Sequence, residues 1–362
     1  MKFCANCFSD SEIRNIVIKS PEHGNCPVCG EKNVPLYDTA KDSYLKENFD
    51  RLLDLYTPES EIPTNIPKSE LTTIIDDISE NWGIFNTTLK PSQIRKILED
   101  LCNYKIAKNR NFLSEKVVIA ENYDKTYIEE NCIVKTGKWS DFSNTIKNIN
   151  RFHSNIINVD KLKNYLTGLE KTYKKGTKFF RGRISNDEKG FDIDEIGAPP
   201  IEFAKSGRAN SAGIAHLYLA SDKETAVREI RASLYDFITI GEFELTKDVV
   251  VINFQNIDKM SPFYYHDEDM AVFAVNKRIL HDINNEMAKP VRNKTKFIEY
   301  VPTQFIADYI LSLGIYHRIE YKSTMNAEGF NLALFDTNIA ECIGVENITI
   351  DDIKYEYKNA GS

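Results

Sequence analysis

Four cysteines in two tight pairs constrain the start of this chain more than any other feature: Cys4-Ala-Asn-Cys7 and Cys26-Pro-Val-Cys29 stand eighteen residues apart. Each Cys-x-x-Cys turn aims two sulfurs at one point, and two such turns at this spacing present four thiolates to one tetrahedral zinc ion. Gly30, directly after the last cysteine, suits the open backbone angle that such a knuckle needs. A segment this short cannot bury enough apolar surface to hold itself together, so the Zn2+ reads as a structural staple, with a nucleic-acid or protein contact as the alternative. Four thiolates leave no position for water, which argues against a catalytic metal. Cys102, Cys132 and Cys342 are isolated and read as core residues.

At 362 residues and 42% hydrophobic content the chain has room for two or three domains. An odd cysteine count of 7, four of them in pairs, suits metal ligation in a reducing compartment better than a disulfide framework. No apolar run approaches the roughly 20 residues needed to span a bilayer, and the first residues lack a secretory core, so a cytoplasmic protein without membrane contact is expected. A net charge of −8 disfavours nucleic acid as a partner.

Apolar residues recur at helical spacing from Asp42 to Tyr56, after which Pro58, Pro63 and Pro67 read as a loop or linker. Segments 69–80, 91–104, 139–150 and 158–174 look helical, the second opening on Pro91. From Lys178 the texture changes to short apolar runs (KFFRGRI, AHLYLA, FITIGEFEL, VVVINF), with helices expected at 222–235, 270–283 and 302–312. The pattern predicts an α+β class with mostly antiparallel sheets: a zinc ribbon over 1–40, a helical region over 41–168, and an α+β domain over 169–362.

Within the last segment, Arg181 and Arg183 stand two apart on an expected strand and so share a face. The loop Ser206-Gly207-Arg208-Ala209-Asn210-Ser211-Ala212-Gly213 can approach a ligand closely, with Arg208 and Asn210 as donors for phosphate or ribose oxygens. The helix after it is expected to take Ser221 as N-cap, to bury Ala226, Ile230 and Leu234, and to set Glu229 at the edge of that stripe. Glu224 and Arg228 fall opposite as an i,i+4 pair.

FFRGR with Arg181, Gly207-Arg208-Ala209-Asn210 with Gly213, Leu217-Tyr218-Leu219-Ala220, and Thr225-Ala226 with Glu229 follow one another in a family's order and spacing. Downstream, Pro302-Thr303-Gln304 opens a helix, and Tyr321-Lys322-Ser323 precedes the run from Gly329 to Phe335. From about Thr177 to Phe335 the chain resembles the RES (Arg-Glu-Ser) domain of bacterial NAD-consuming toxins. The resemblance implies an ADP-ribosyltransferase-like fold, NAD as substrate, and cleavage of the nicotinamide–ribose bond by hydrolysis or phosphorolysis. It assigns the arginine, glutamate and serine of the family name to Arg181, Glu229 and Ser323, and a further active-site tyrosine to Tyr218. Arg183, Arg208, Asn210 and Asn331 are carried as substrate-binding residues. Ala209 departs from the pattern, an aromatic being common there.

The ribbon and helical region resemble the HEPN-like extensions seen before RES domains, although none of Arg14, Arg51, Arg95, Arg110 or Arg151 has a histidine at the spacing of HEPN ribonucleases. A toxin of this kind, in toxin–antitoxin or antiphage defence, implies an antitoxin or trigger protein as partner. Residues 1–168 are then expected to regulate, recognise or assemble, and a homo-oligomer is left open. The alternatives are ADP-ribose transfer to a macromolecule and a non-catalytic zinc-ribbon binding protein. No histidine is indicated beside Ser323, His317 reading as a surface residue.

Overall fold

The computed structural model describes the chain apart from residues 63–65, 265–269, 290–295, 317 and 355–362, so Pro63 and His317 lie outside the described residues. The fold is α+β, and it divides into two compact units. Met1–Lys138 with Asp258–Ile279 form the first, and Trp139–Ile257 with Leu280–Ser362 the second. The cut at 138 differs from the boundary at 168 read from the sequence, because helices Trp139–Asn148 and Val159–Leu166 group with the sheet that follows them.

In the first unit, strands Lys2–Cys4, Val34–Asp38 and His23–Gly24 form an antiparallel sheet with Val34–Asp38 in the middle. The expected helix over 42–56 runs Tyr44–Leu53 and buries Leu45, Phe49 and Leu52. Pro58 belongs to a strand, Tyr56–Pro58, paired with Val117–Ile119, where the sequence suggests a linker. A strand of three residues carries too little alternation to be read from sequence. The helix expected over 91–104 ends at Leu101, and a separate helix covers Asn103–Lys108. Asn276 fastens the later segment to this unit, accepting from the Ile133 amide at 2.6 Å and donating to the Asn131 carbonyl at 2.9 Å.

The second unit is built on eight strands: β1 Glu170–Tyr173, β2 Lys178–Ser185, β3 Leu217–Ala220, β4 Phe237–Leu245, β5 Val249–Asn253, β6 Arg318–Lys322, β7 Phe330–Leu334 and β8 Ala340–Thr349. Their order is β8-β4-β2-β3-β7-β6-β5-β1, antiparallel throughout except between β5 and β6. Alternation sends Phe179, Leu217, Leu219, Phe243, Leu332 and Leu334 into one shared core. Helix α1, Lys223–Glu229, and helix α2, Val301–Ser312, carry the two motifs singled out above.

Several expectations are corrected by the structure. The helix read over 158–174 stops at Leu166, and β1 follows as the edge strand. Lys171 and Tyr173 both reach the buried Glu320 carboxylate, at 2.9 and 2.6 Å, and a two-residue period is what lets both point there. Helix α1 also ends at Glu229, well before 235, with Arg231 and Tyr235 in the left-handed region at φ 54 and 68. Ala226 is buried as expected, whereas Leu234 is 44% exposed beyond the helix end. The N-cap is Asp222, whose carboxylate accepts from the Thr225 amide at 2.8 Å, and Ser221 donates to that carboxylate. Cys102 and Cys132 are buried, Cys342 only partly.

Candidate active site

Glu229 is placed by the seat of α1. At Gly182 on β2 a Cβ would lie 3.0 Å from the Ala226 carbonyl, and at Gly329 one would overlap the Thr225 hydroxyl, so the helix sets its backbone against β2 and its Thr225 side chain against the Gly329 segment. From the far side of the sheet mouth, Ser323 Oγ donates to Glu229 Oε1 at 2.5 Å and Asn331 Nδ2 donates to the same oxygen at 2.7 Å. Ser323 is itself fixed, its hydroxyl accepting from the amides of Met325 and Asn326 at 3.1 Å. Both bonds fall on Oε1, and among the described residues Oε2 has no hydrogen-bond partner. The expected Glu224–Arg228 pair forms on the outer face at 2.7 Å.

Tyr218 organises the glycine loop. Its hydroxyl donates to Asn210 Oδ1 at 2.6 Å and accepts from the Ala209 amide at 3.1 Å. Burial pushes this phenol well above the ordinary tyrosine range, so it stays neutral. Asn210 Nδ2 donates to the carbonyls of Lys205, Ser211 and Ile214, so both ends of its amide are engaged within the loop. Gly207 is required for space: a Cβ there would lie 2.5 Å from Asn210 Oδ1 and 2.6 Å from the Tyr218 hydroxyl.

Strands β2 and β3 pair only at Phe180 and Ala220. Arg181 bridges the gap beyond that pair, donating through Nη1 to the Tyr218 carbonyl at 3.1 Å. A cavity of about 210 Å³ opens beside it, lined by Arg181, Phe203, Ala204, Asn210, His216 and Tyr218 among others. Burial, with the charge of Arg183 alongside, lowers the Arg181 guanidinium to about 10, which leaves it protonated at neutral pH. Arg181 Nε and Arg208 Nη1 are both buried without a hydrogen-bond partner. Arg183 is turned away, stacked 3.9 Å over the Phe191 ring and donating to the Glu195 carbonyl.

Tyr321 is buried, and burial first, with the neighbouring Tyr218, Glu229 and Tyr300 adding to it, holds its phenol well above the ordinary tyrosine range. Sequence reasoning passed over it, as it did His216, whose ring lines the cavity with Nδ1 3.0 Å from the Ala215 carbonyl and is held below the usual histidine range by burial. Both stand within runs quoted above, Tyr321 two residues before Ser323 and His216 two before Tyr218, but neither was assigned a role at the site from the sequence. A larger groove of about 970 Å³ runs along the outer side of α1, past Val227, Arg231 and Met325, and takes in none of the residues assigned to chemistry.

In the first unit the Sγ atoms of Cys4, Cys7, Cys26 and Cys29 all lie within 4.8 Å of one another, with Cys4–Cys29 at 3.4 Å and Cys7–Cys26 at 3.7 Å. A tetrahedral tetrathiolate with metal–sulfur bonds of about 2.3 Å needs separations of about 3.8 Å, so the four fit one metal ion. Gly30 takes the left-handed angle foreseen for it, φ 81.

Residues 193–358 match the family model of the RES domain. This chain contains a RES domain. The match takes in Arg208, Tyr218, Glu229, Ser323 and Asn331 but begins after Arg181, which therefore rests on its geometry. At family level a RES domain supports an enzymatic, NAD-related role. No curated protein matches the chain. Among the described residues no helix is long and apolar enough to cross a membrane.

Proposed function

We propose that this RES domain cleaves the bond between nicotinamide and ribose in NAD, by hydrolysis or phosphorolysis, and so depletes a cell of NAD as a toxin or effector. The observation that carries this reading is the Ser323–Glu229–Asn331 triad, in which two donors fix one carboxylate oxygen and leave the other without a hydrogen-bond partner among the described residues. Nicotinamide in NAD is already cationic. It departs neutral with the bonding electrons and needs no proton, while positive charge builds on the ribose ring. A carboxylate held rigid beside that ring stabilises the charge as it develops, and preorganised electrostatics of this kind lower a barrier by several kcal/mol. Water or phosphate then bonds to the ribose carbon; water loses a proton to solvent.

Arg181 Nε and Arg208 Nη1, two of the three buried guanidinium nitrogens without a partner among the described residues (Arg318 Nε is the third), answer the substrate's diphosphate, which supplies acceptors and negative charge to groups that burial would otherwise penalise. Asn210 and Tyr218 shape the pocket, and the four paired cysteines hold a structural zinc. Residues 1–168 serve to regulate, recognise or assemble, in contact with a trigger or antitoxin protein.

Mass analysis of NAD incubated with purified chain, with and without phosphate, tests this directly. Nicotinamide with free ADP-ribose marks hydrolysis, and nicotinamide with ADP-ribose phosphate marks phosphorolysis. Intact NAD overturns the reading, and ADP-ribose bound to protein or nucleic acid replaces it with group transfer.

A further inference from the structure

The first turn of α2 grips the loop that carries Arg208. Gln304, buried, directs Nε2 at Ser206 Oγ, the Gly207 carbonyl and the Asn210 carbonyl at 2.7, 2.8 and 2.8 Å, two protons shared among three acceptors. Thr303, also buried, directs its hydroxyl at the carbonyl of Arg208 itself at 2.7 Å, one proton shared with the Tyr300 carbonyl at 2.9 Å. The guanidinium of Arg208 lies 5.7 Å over the ring of Tyr300, one turn earlier. From the opposite side Tyr218 holds Ala209 and Asn210. The backbone on both sides of Arg208 is thus tied down by side chains, while Nη1 of that arginine is buried and bonds to nothing. A buried cationic donor left unpaired costs stability unless a ligand completes it.

We infer that Gln304 and Thr303 are positioning residues for the diphosphate of a dinucleotide: they hold the Arg208 loop so that Nη1 meets an anionic oxygen with little further ordering. The inference rests on the NAD reading for its substrate but can be tested apart from turnover. Preorganisation of this kind raises affinity by removing an ordering cost, so its loss appears in binding before it appears in the chemical step.

The full-length chain is titrated calorimetrically with ADP-ribose, which carries the diphosphate and no scissile bond, and is assayed for KM and kcat on NAD. Thr303→Val removes one hydroxyl at constant shape and should weaken ADP-ribose about fivefold. Gln304→Leu should weaken it roughly tenfold. KM should rise in step with the weaker ADP-ribose binding while kcat stays within about twofold of the parental value, and inhibition by nicotinamide, which lacks phosphate, should not change. Because the effect runs through Arg208, adding Thr303→Val to Arg208→Ala should weaken ADP-ribose no further than Arg208→Ala alone. Additive losses, or ADP-ribose affinity unchanged in a folded Thr303→Val chain, overturn the inference. If Gln304→Leu does not fold, the Thr303→Val cycle decides alone. A parental chain that binds ADP-ribose yet leaves NAD intact removes the cleavage reading, and the same cycle still judges the positioning role.

Discussion

At the scale of single residues, the site divides into groups whose polar atoms are used up by the protein and groups whose polar atoms are not. Tyr218 and Asn210 belong to the first kind, since the hydroxyl and both ends of the amide are engaged within the loop. Glu229, Arg181 and Arg208 belong to the second. Glu229→Gln keeps the shape but swaps an acceptor for a donor opposite Ser323 or Asn331 and removes the charge that steadies the ribose cation. Turnover of NAD should fall by at least about two orders of magnitude with the fold retained. Parental rates for this variant in a product assay would dismiss Glu229 from catalysis. Arg181→Lys retains a charge but loses the planar fork, so KM should rise by roughly tenfold or more while kcat changes less. Equal KM values would remove Arg181 from binding.

At the scale of elements, α1 matters because Glu229 is its last residue, and a helix of seven residues depends on its cap. The Asp222 carboxyl is held below the ordinary aspartate value: burial acts against this, but hydrogen bonds from Ser221 and from the hydroxyl and amide of Thr225 outweigh it. A depressed carboxyl stabilises the fold fully above its unfolded value and loses that contribution as pH falls through the folded one. Asp222→Ala should therefore cost about 1 kcal/mol at neutral pH and progressively less as pH falls below about 4. Urea titrations at several pH values check this, and a loss independent of pH would separate the cap from its charge. Because α1 frays when uncapped, NAD turnover at neutral pH should fall as well.

At the scale of the molecule, every residue assigned to chemistry lies in the second unit, yet that unit does not begin at 169. Phe142 packs edge-on against Phe305 of α2 at 5.3 Å, and Tyr309 of α2 donates to the Val159 carbonyl at 2.8 Å. A chain starting at 169 loses both contacts to the helix that carries Thr303 and Gln304. A chain starting at 139 should melt several degrees higher than one starting at 169; equal melting temperatures would make the two helices dispensable. In the first unit the ribbon is not an isolated staple. The Ser9 amide donates to Ile84, the Asn86 amide to Cys7, Gln93 Nε2 donates to Val28, and the Phe8 and Phe85 rings lie 5.2 Å apart. One zinc per chain is expected by metal analysis. Cys26→Ser should release it and raise amide exchange across the first unit as far as Leu101, with the β-sheet of the second unit unaffected. A metal-free parental chain prepared without chelator would remove zinc from this account.

The sequence by itself determined the features whose cause is local. Two Cys-x-x-Cys turns, a glycine after the fourth cysteine and runs of period two from Lys178 are each specified within a few residues, and they appear where the pattern places them. Arg208, Tyr218, Glu229 and Ser323 could be named from motif order. What they do could not, because a side chain's partners lie far along the chain: Glu229 meets Ser323 ninety-four residues on, and Gln304 meets Gly207 across ninety-seven. Tertiary structure also overrode local tendency where a distant group offered more. The end of the 158–174 segment became an edge strand that carries Lys171 and Tyr173 to the buried Glu320, and Pro58 became the end of a strand because Val117 lay opposite. Only the assembled fold left Arg181 Nε beside the strands that part beyond Phe180 and Ala220, and Arg208 Nη1 in the glycine loop, buried without partners, and an unmet hydrogen bond is a property of packing that no spacing of residues records.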